Sequence, residues 1–352
     1  MKVLVIQNKM IGDVLASTVI CEVLKRENPT WEIHYMIQKN TIAVVENNPY
    51  IDKIILFDPN EHKGFFKLMT FGKLLKKEKY SIVIDAYGKW QSILPAYFSG
   101  AKTIVGHYKW YNTFFHTKTV VPDTECNGTA NAYRILLAKT ALEKEVKPIY
   151  PKIHLTKDEI LKAKNTIGQQ LKNEKPLYMI SILGSGKNKS LPPKYMAQVL
   201  DEIAYQRDIQ ILFNYIPNQR EQVQVIFDLC SEETKSKINL DFYANSLRDF
   251  LGLLSQCDAL IGNEGGATNM AKALSIPTFT IYAPWINKTS WNILEETGLH
   301  DVVHLSDYYP DLYQNKHPKN FKDKALEWYE KFNPELYKDK LNAYLNRLEK
   351  NK

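Results

Sequence analysis

No hydrophobic run in the 352 residues approaches the roughly 18 that a membrane helix needs. The opening "MKVLVIQNK" returns to polar residues too soon for a signal peptide, so a cytoplasmic protein is expected. Cysteine is scarce. Cys21, Cys126, Cys230 and Cys257 form no Cys-x-x-Cys pair and no cluster with histidine, which argues against a zinc site and against a disulfide framework. There is no Asp-x-Asp pair to chelate a metal, so neither a metal nor a resident cofactor is expected. The dinucleotide fingerprint G-x-G-x-x-G is missing as well. A phosphate loop of the G-x-x-x-x-G-K-[ST] kind fails, because Ser181 stands at the first glycine position and Asn188 follows Lys187.

What is present describes a folded chain of more than one core. Hydrophobic residues at 44% and charged residues at 24% are globular proportions, and the length suits two domains of about 150 residues each. The formal charge of +7 favours anionic partners without choosing among them. Lysine-rich pieces such as "KLLKKEKY" (73–80) and "RLEKNK" (347–352) read as solvated helix faces. Basic residues are dispersed and no recognition motif appears, so nucleic acid is not an expected partner.

Short aliphatic or β-branched runs alternate with helical periodicity: "KVLVI", "EIHYMI", "KIILF", "SIVIDA" and "KTIVGH" in the first half. After "KPIYPKIHL" (147–155) the pattern restarts with "LYMISIL", "IQILFNY", "KINLDF", "ALIGN" and "TFTIYA". This is the βαβ pattern of parallel sheets, given twice. The expected fold is α/β, two Rossmann-like doubly wound domains facing across a cleft. The boundaries are 1–150 and 151–317, with helices over 318–352 packing back on the first domain. Ligands of such folds lie at the carboxyl ends of the strands.

Two strand-to-helix turns stand out there. In "VIQNKMIGDVLAS" (5–17), Gly12 allows close backbone approach and Asp13 falls in the first turn of a helix. Taken alone, Asp13 is as well explained as a cap favoured by the positive end of that helix. In "DALIGNEGGATNMAKAL" (258–274), paired glycines at a helix start leave backbone N–H groups open to an anion, with Thr268 and Asn269 adding short donors. Between them "ILGSGKNKSLPPKYMAQVL" (182–200) offers Lys187 and Lys189 on a Gly/Ser turn before a helix begun by proline. The aromatic run "GHYKWYNTFFH" (106–116) is a packed strand and loop, a sugar-stacking surface or a membrane-facing one. No role is assigned to His107 or His116.

These segments, in this order along nearly the whole chain, resemble glycosyltransferase family 9, the ADP-heptose:lipopolysaccharide heptosyltransferases. "KVLVIQNKMIGDVLAST" is similar to the family's opening strand and Gly-Asp-Val-Leu turn, and "YSIVIDAYGKWQSIL" (80–94) to its Asp-Leu-Gln-Gly-x-x-Arg-Ser pattern. "LGSGKNKSLPPKYMAQVL" resembles its loop ending Lys-x-Trp-Pro, and 255–284 its Asn-Asp-[Ser/Thr]-Gly-x-x-His segment. The resemblance implies a GT-B fold and inverting, metal-independent transfer of heptose from ADP-heptose to a lipopolysaccharide-core or lipid-linked acceptor. Peripheral contact with the inner membrane surface would follow. It implies Asp13 as general base and a donor site of Ser185, Lys189, Gln219, Glu264, Gly265, Gly266, Thr268 and Asn269, with Gly12, Asp85 and Gln91 on the acceptor side. Glu264, Gly265, Asn269, Leu191 and Gln91 are departures from the family pattern. Rival readings are another nucleotide-sugar donor, a sugar-nucleotide epimerase, or a non-catalytic nucleotide- or glycan-binding module.

Overall fold

The computed structural model describes residues 1–121, 129–171, 175–294 and 297–350; Cys126 lies outside these residues. The chain divides into two units, Met1–His154 with Thr289–Ile293, and Leu155–Lys288 with Leu294–Lys352.

The first unit runs β1 (Lys2–Ile6), α1 (Ile11–Glu27), β2 (Glu32–Ile37), β3 (Lys53–Leu56), α2 (Phe65–Leu75), β4 (Ile82–Asp85), α3 (Trp90–Phe98), β5 (Thr103–His107), β6 (Lys118–Val120) and α4 (Ala130–Leu142). Its six-stranded sheet has the order β3-β2-β1-β4-β5-β6, with every neighbouring pair parallel. Val3, Leu4, Val5 and Ile6 are all fully buried, as a central parallel strand covered on both faces requires. Strand order reverses between β1 and β4, where Ile6 pairs with Asp85. The turns that carry Asp13 and Asp85 therefore leave the sheet side by side, at the crevice where open α/β sheets bind ligands.

The second unit runs α5 (Lys157–Gln170), β7 (Leu177–Ser181), α6 (Pro193–Ala204), β8 (Gln210–Phe213), α7 (Arg220–Leu229), α8 (Glu232–Lys237), α9 (Leu247–Leu254), β9 (Ala259–Asn263), α10 (Gly266–Ala273), β10 (Thr278–Ile281), β11 (His300–Val303), α11 (Ala325–Glu330) and α12 (Lys338–Lys350). Its five strands are ordered β11-β10-β9-β7-β8, again all parallel. Here the reversal falls between β7 and β9, which lead into the Lys189 loop and the Glu264 turn.

Two expectations are corrected. "KINLDF" is not a strand: Asn239 and Asp241 interrupt it, and only Ile238 bridges Ile211. The closing helices belong to the second unit rather than packing back on the first. Trp328, Phe332, Tyr337, Leu341, Tyr344 and Leu345 are buried in one cluster with Phe279, Ile281 and Val303 of the second sheet. Helical spacing of apolar residues shows that a face is buried, and says nothing of which core receives it.

Candidate functional site

Asp13 is the third residue of α1 and is 9% exposed. It does not act as the cap. The N-cap is Met10, without a side-chain cap bond. The Asp13 carboxylate is instead held from α4, where Arg134 Nη2 donates to Asp13 Oδ1 at 2.9 Å. Arg134 is itself buried, and donates through Nη1 to the Ala130 carbonyl and through Nε to Ser17 Oγ. The Trp291 ring lies 6.0 Å from its guanidinium carbon. Lys9, whose side chain is half exposed, approaches Asp13 Oδ2 at 3.2 Å. The carboxylate is thus held between the buried Arg134 guanidinium and the Lys9 ammonium.

The adjoining turn is stitched to this one. Gln7 Nε2 donates to the Ala86 carbonyl and Asn8 Nδ2 to the Gln91 carbonyl. The Gln91 side chain accepts from the Tyr87 hydroxyl at 3.3 Å. Gly12 is half-buried in the first turn of α1. Asp85 is fully buried: one oxygen accepts from the Tyr87 and Gly88 amides, and the other lies 3.1 Å from His116 Nε2. Its carboxylate thus holds the turn in shape. Burial presses the His116 imidazole down, but Asp85 outweighs it and the net shift is upward. Burial, reinforced by Arg134, lowers His107 to about 4, which leaves that ring neutral at pH 7.

In the second unit Asn263, fully buried at the end of β9, ties the two turns together. Its Nδ2 donates to the Ser181 and Ile182 carbonyls and its Oδ1 accepts from the Leu191 amide. The Lys189 loop is thereby drawn against the Glu264 turn, and Lys189 Nζ lies 3.1 Å from Glu264 Oε1. Lys189 and Lys322 stand 5.6 and 5.1 Å from the Trp285 ring centre, and Trp285 Nε1 donates to the Asn188 carbonyl. Ser185 is exposed in the same loop. Gly265 and Gly266 open α10, and a Cβ on either would meet no atom closer than 4.0 Å. Packing therefore does not demand glycine at either position. Asn269 is half-buried on this first turn, and the buried Thr268 Oγ1 has no hydrogen-bond partner among the described residues.

Gln219 lies apart, in the turn after β8, where its Oε1 accepts from the Ile216 amide at 3.1 Å. Beside that turn is a cavity of 410 Å³, lined by Phe213, Tyr215, Pro217, Phe242, Tyr243 and Met270 among others. Met270 comes from α10, so this apolar hollow adjoins the glycine turn. Burial raises the thiols of the three described cysteines, Cys230 to about 12, which suits structural rather than reactive roles.

The model of glycosyltransferase family 9 (heptosyltransferase) matches residues 68–296. The chain belongs to glycosyltransferase family 9. It is a glycosyltransferase of the heptosyltransferase family, and the epimerase alternative gives way to this match. Lipopolysaccharide heptosyltransferase 1 of Campylobacter coli is 23% identical over 314 residues, spanning 85% of this chain and 90% of that protein. Among solved structures, the family 9 transferase of Veillonella parvula superposes with a TM-score of 0.74 at 20% identity, covering 90% of this chain and 89% of that one. E. coli ADP-heptose lipopolysaccharide heptosyltransferase II gives 0.70 at 17% identity over 94% and 99%. The two parallel sheets are thus those of the GT-B type.

Arg134, Trp285 and Lys322 carry no signal in the sequence, since none sits in a glycine-marked turn; Asn263 opens the second such turn but has no role assigned to it there. Among the described residues no helix is long and apolar enough to cross a membrane, and no three His, Cys, Asp or Glu side chains gather as metal ligands would.

Proposed function

We propose that this family 9 enzyme transfers heptose with inversion from ADP-heptose to a lipopolysaccharide-core or lipid-linked acceptor, without metal. The observation that carries the reading is the buried Asp13–Arg134 pair at the strand-order reversal of the first sheet. The Asp13 carboxylate takes the proton of the acceptor hydroxyl as its oxygen attacks the anomeric carbon. The bond from that carbon to the diphosphate oxygen breaks, and ADP leaves with the electron pair. Its growing negative charge is met by Lys189, the Gly265 and Gly266 backbone, Thr268 and Asn269, with Ser185 and Lys322 at the margin. Glu264, steered by Lys189, accepts from donor hydroxyls. The apolar hollow beside Gln219 takes the adenine. Gln91 faces the acceptor, and Gly12 keeps the approach to Asp13 free of a side chain.

Asp13→Asn removes the base while keeping shape and most hydrogen bonding. Turnover with ADP-heptose and a core acceptor is expected to fall by about 100-fold or more, the usual scale for a general base, with ADP affinity unchanged by calorimetry. Near-normal turnover would sink the assignment.

A further inference from the structure

Trp285 has two cations on its ring. Lys189 Nζ lies 5.6 Å and Lys322 Nζ 5.1 Å from the ring centre, within the range of cation–π attraction. The two lysines come from distant parts of the chain, the loop after β7 and the segment that leads into α11. Packing brings each of them there. The Trp285 indole N–H donates to the Asn188 carbonyl at 2.7 Å and so fixes the loop one residue before Lys189. One residue before Trp285, the Pro284 carbonyl accepts from the buried Tyr313 hydroxyl at 2.7 Å. The Tyr313 ring packs on Phe321 and Trp328, with centroids 5.8 and 4.9 Å away, and those two stack on each other at 4.7 Å. Phe321 precedes Lys322, so the immediate neighbours of all three residues are fastened together.

The polar groups there are not balanced within the chain. Lys189 has Glu264 at 3.1 Å, yet Glu264 Oε1 is buried and accepts no hydrogen bond, so the pair is close without being aligned. Lys322 is exposed and has no carboxylate partner among the described residues. Two buried hydroxyls also lack partners, Thr268 Oγ1 on the first turn of α10 and that of Tyr329 on α11. Burial, and then the neighbouring Glu264, push the Tyr329 hydroxyl well above its ordinary value. Buried polar atoms without a protein partner are uncommon. Two ammonium groups near one ring repel each other, and an anion that reaches both turns the repulsion into attraction. A monophosphate reaches one arm, whereas a diphosphate offers each lysine a phosphate of its own.

We propose that Trp285 is a positioning residue that holds Lys189 and Lys322 as the two arms of a diphosphate clamp, and so sets the preference of the site for a nucleoside diphosphate over the monophosphate. This deepens the donor reading above and rests on it for the sugar nucleotide as natural ligand; the clamp itself grips the diphosphate whatever the base. Isothermal titration of the full chain with ADP, AMP and inorganic pyrophosphate, beside melting curves, tests it. Trp285→Leu and Lys322→Gln are each expected to weaken ADP and pyrophosphate by about ten-fold, while AMP stays within about two-fold. Trp285→Phe keeps an aromatic face and should hold ADP within about three-fold of wild type. The double variant Trp285→Leu/Lys322→Gln should lose less than the product of the two single losses, because the ring acts through that lysine. ADP affinity unchanged by both single substitutions, an AMP loss as large as the ADP loss, or Trp285→Phe as weak as Trp285→Leu overturns the clamp. Lys322→Gln alters an exposed side chain, so its result decides even where Trp285→Leu lowers the melting temperature. If pyrophosphate follows the expected pattern but UDP binds as tightly as ADP, the ADP donor falls and the clamp stands. If ADP binds wild type and variants alike, the donor reading stands and the clamp falls.

Discussion

Asp13 is positioned by Arg134, 121 residues further along the chain, and that partnership turns an acid with two local explanations into one with a geometry. The helix does without a side-chain cap, so the carboxylate is not consumed by its own backbone. The other conspicuous acid of this unit has the opposite fate. Asp85 is buried against His116 and two amides, and removing its charge leaves the imidazolium without a partner. Because folding raises the His116 value, the pair adds stability that is full below about pH 6.5 and is lost as pH rises through the folded value. Asp85→Asn should therefore cost about 3 kcal/mol at low pH, and the gap from wild type should narrow as pH climbs. Melting curves at several pH values check this; a gap that widens toward alkaline pH would contradict it.

Two pairs of glycines separate folding from binding at the level of the turn. A Cβ on Gly262 would lie 2.6 Å from the Ser181 carbonyl oxygen and one on Gly184 2.1 Å from that of Lys189, so Gly262 lets β9 pack against β7 and Gly184 lets the loop after β7 fold back on itself. Gly262 also holds φ at +126°, which a side chain would strain. Gly265 and Gly266 meet no such obstacle. Gly262→Ala should destabilise by about 2 kcal/mol, whereas Gly265→Ala and Gly266→Ala should melt as the wild type does and bind ADP at least about ten-fold more weakly. Calorimetry beside melting curves separates the cases; unchanged ADP binding in both of the latter would remove the anion site from this turn. Both β-strand-to-helix turns were legible in the sequence, because glycine after an aliphatic run is a local signal. Asn263 and Arg134 were not, since their meaning lies in partners 72 or more positions away. The "KINLDF" strand was misread because its alternation of apolar and polar residues serves the rim of the apolar hollow, where Phe242 sits, rather than a ladder.

Across the whole molecule the labour is divided: the first unit holds the proposed base, and the second the candidate hold on the donor. The two parallel sheets were readable from the repeated strand pattern. The allegiance of the closing helices was not, because an amphipathic helix does not name its core. Donor choice is the property on which the account depends most. In the proposed site the departures at Glu264, Gly265 and Asn269 would meet the sugar and phosphates, while the hollow of Phe213, Tyr215, Phe242 and Met270 is apolar and broad, as a purine prefers. Isothermal titration of the full chain with ADP and with UDP tests this directly. ADP is expected to bind at least about ten-fold more tightly, roughly 1.4 kcal/mol; equal affinity, or a preference for UDP, would contradict an ADP-heptose donor.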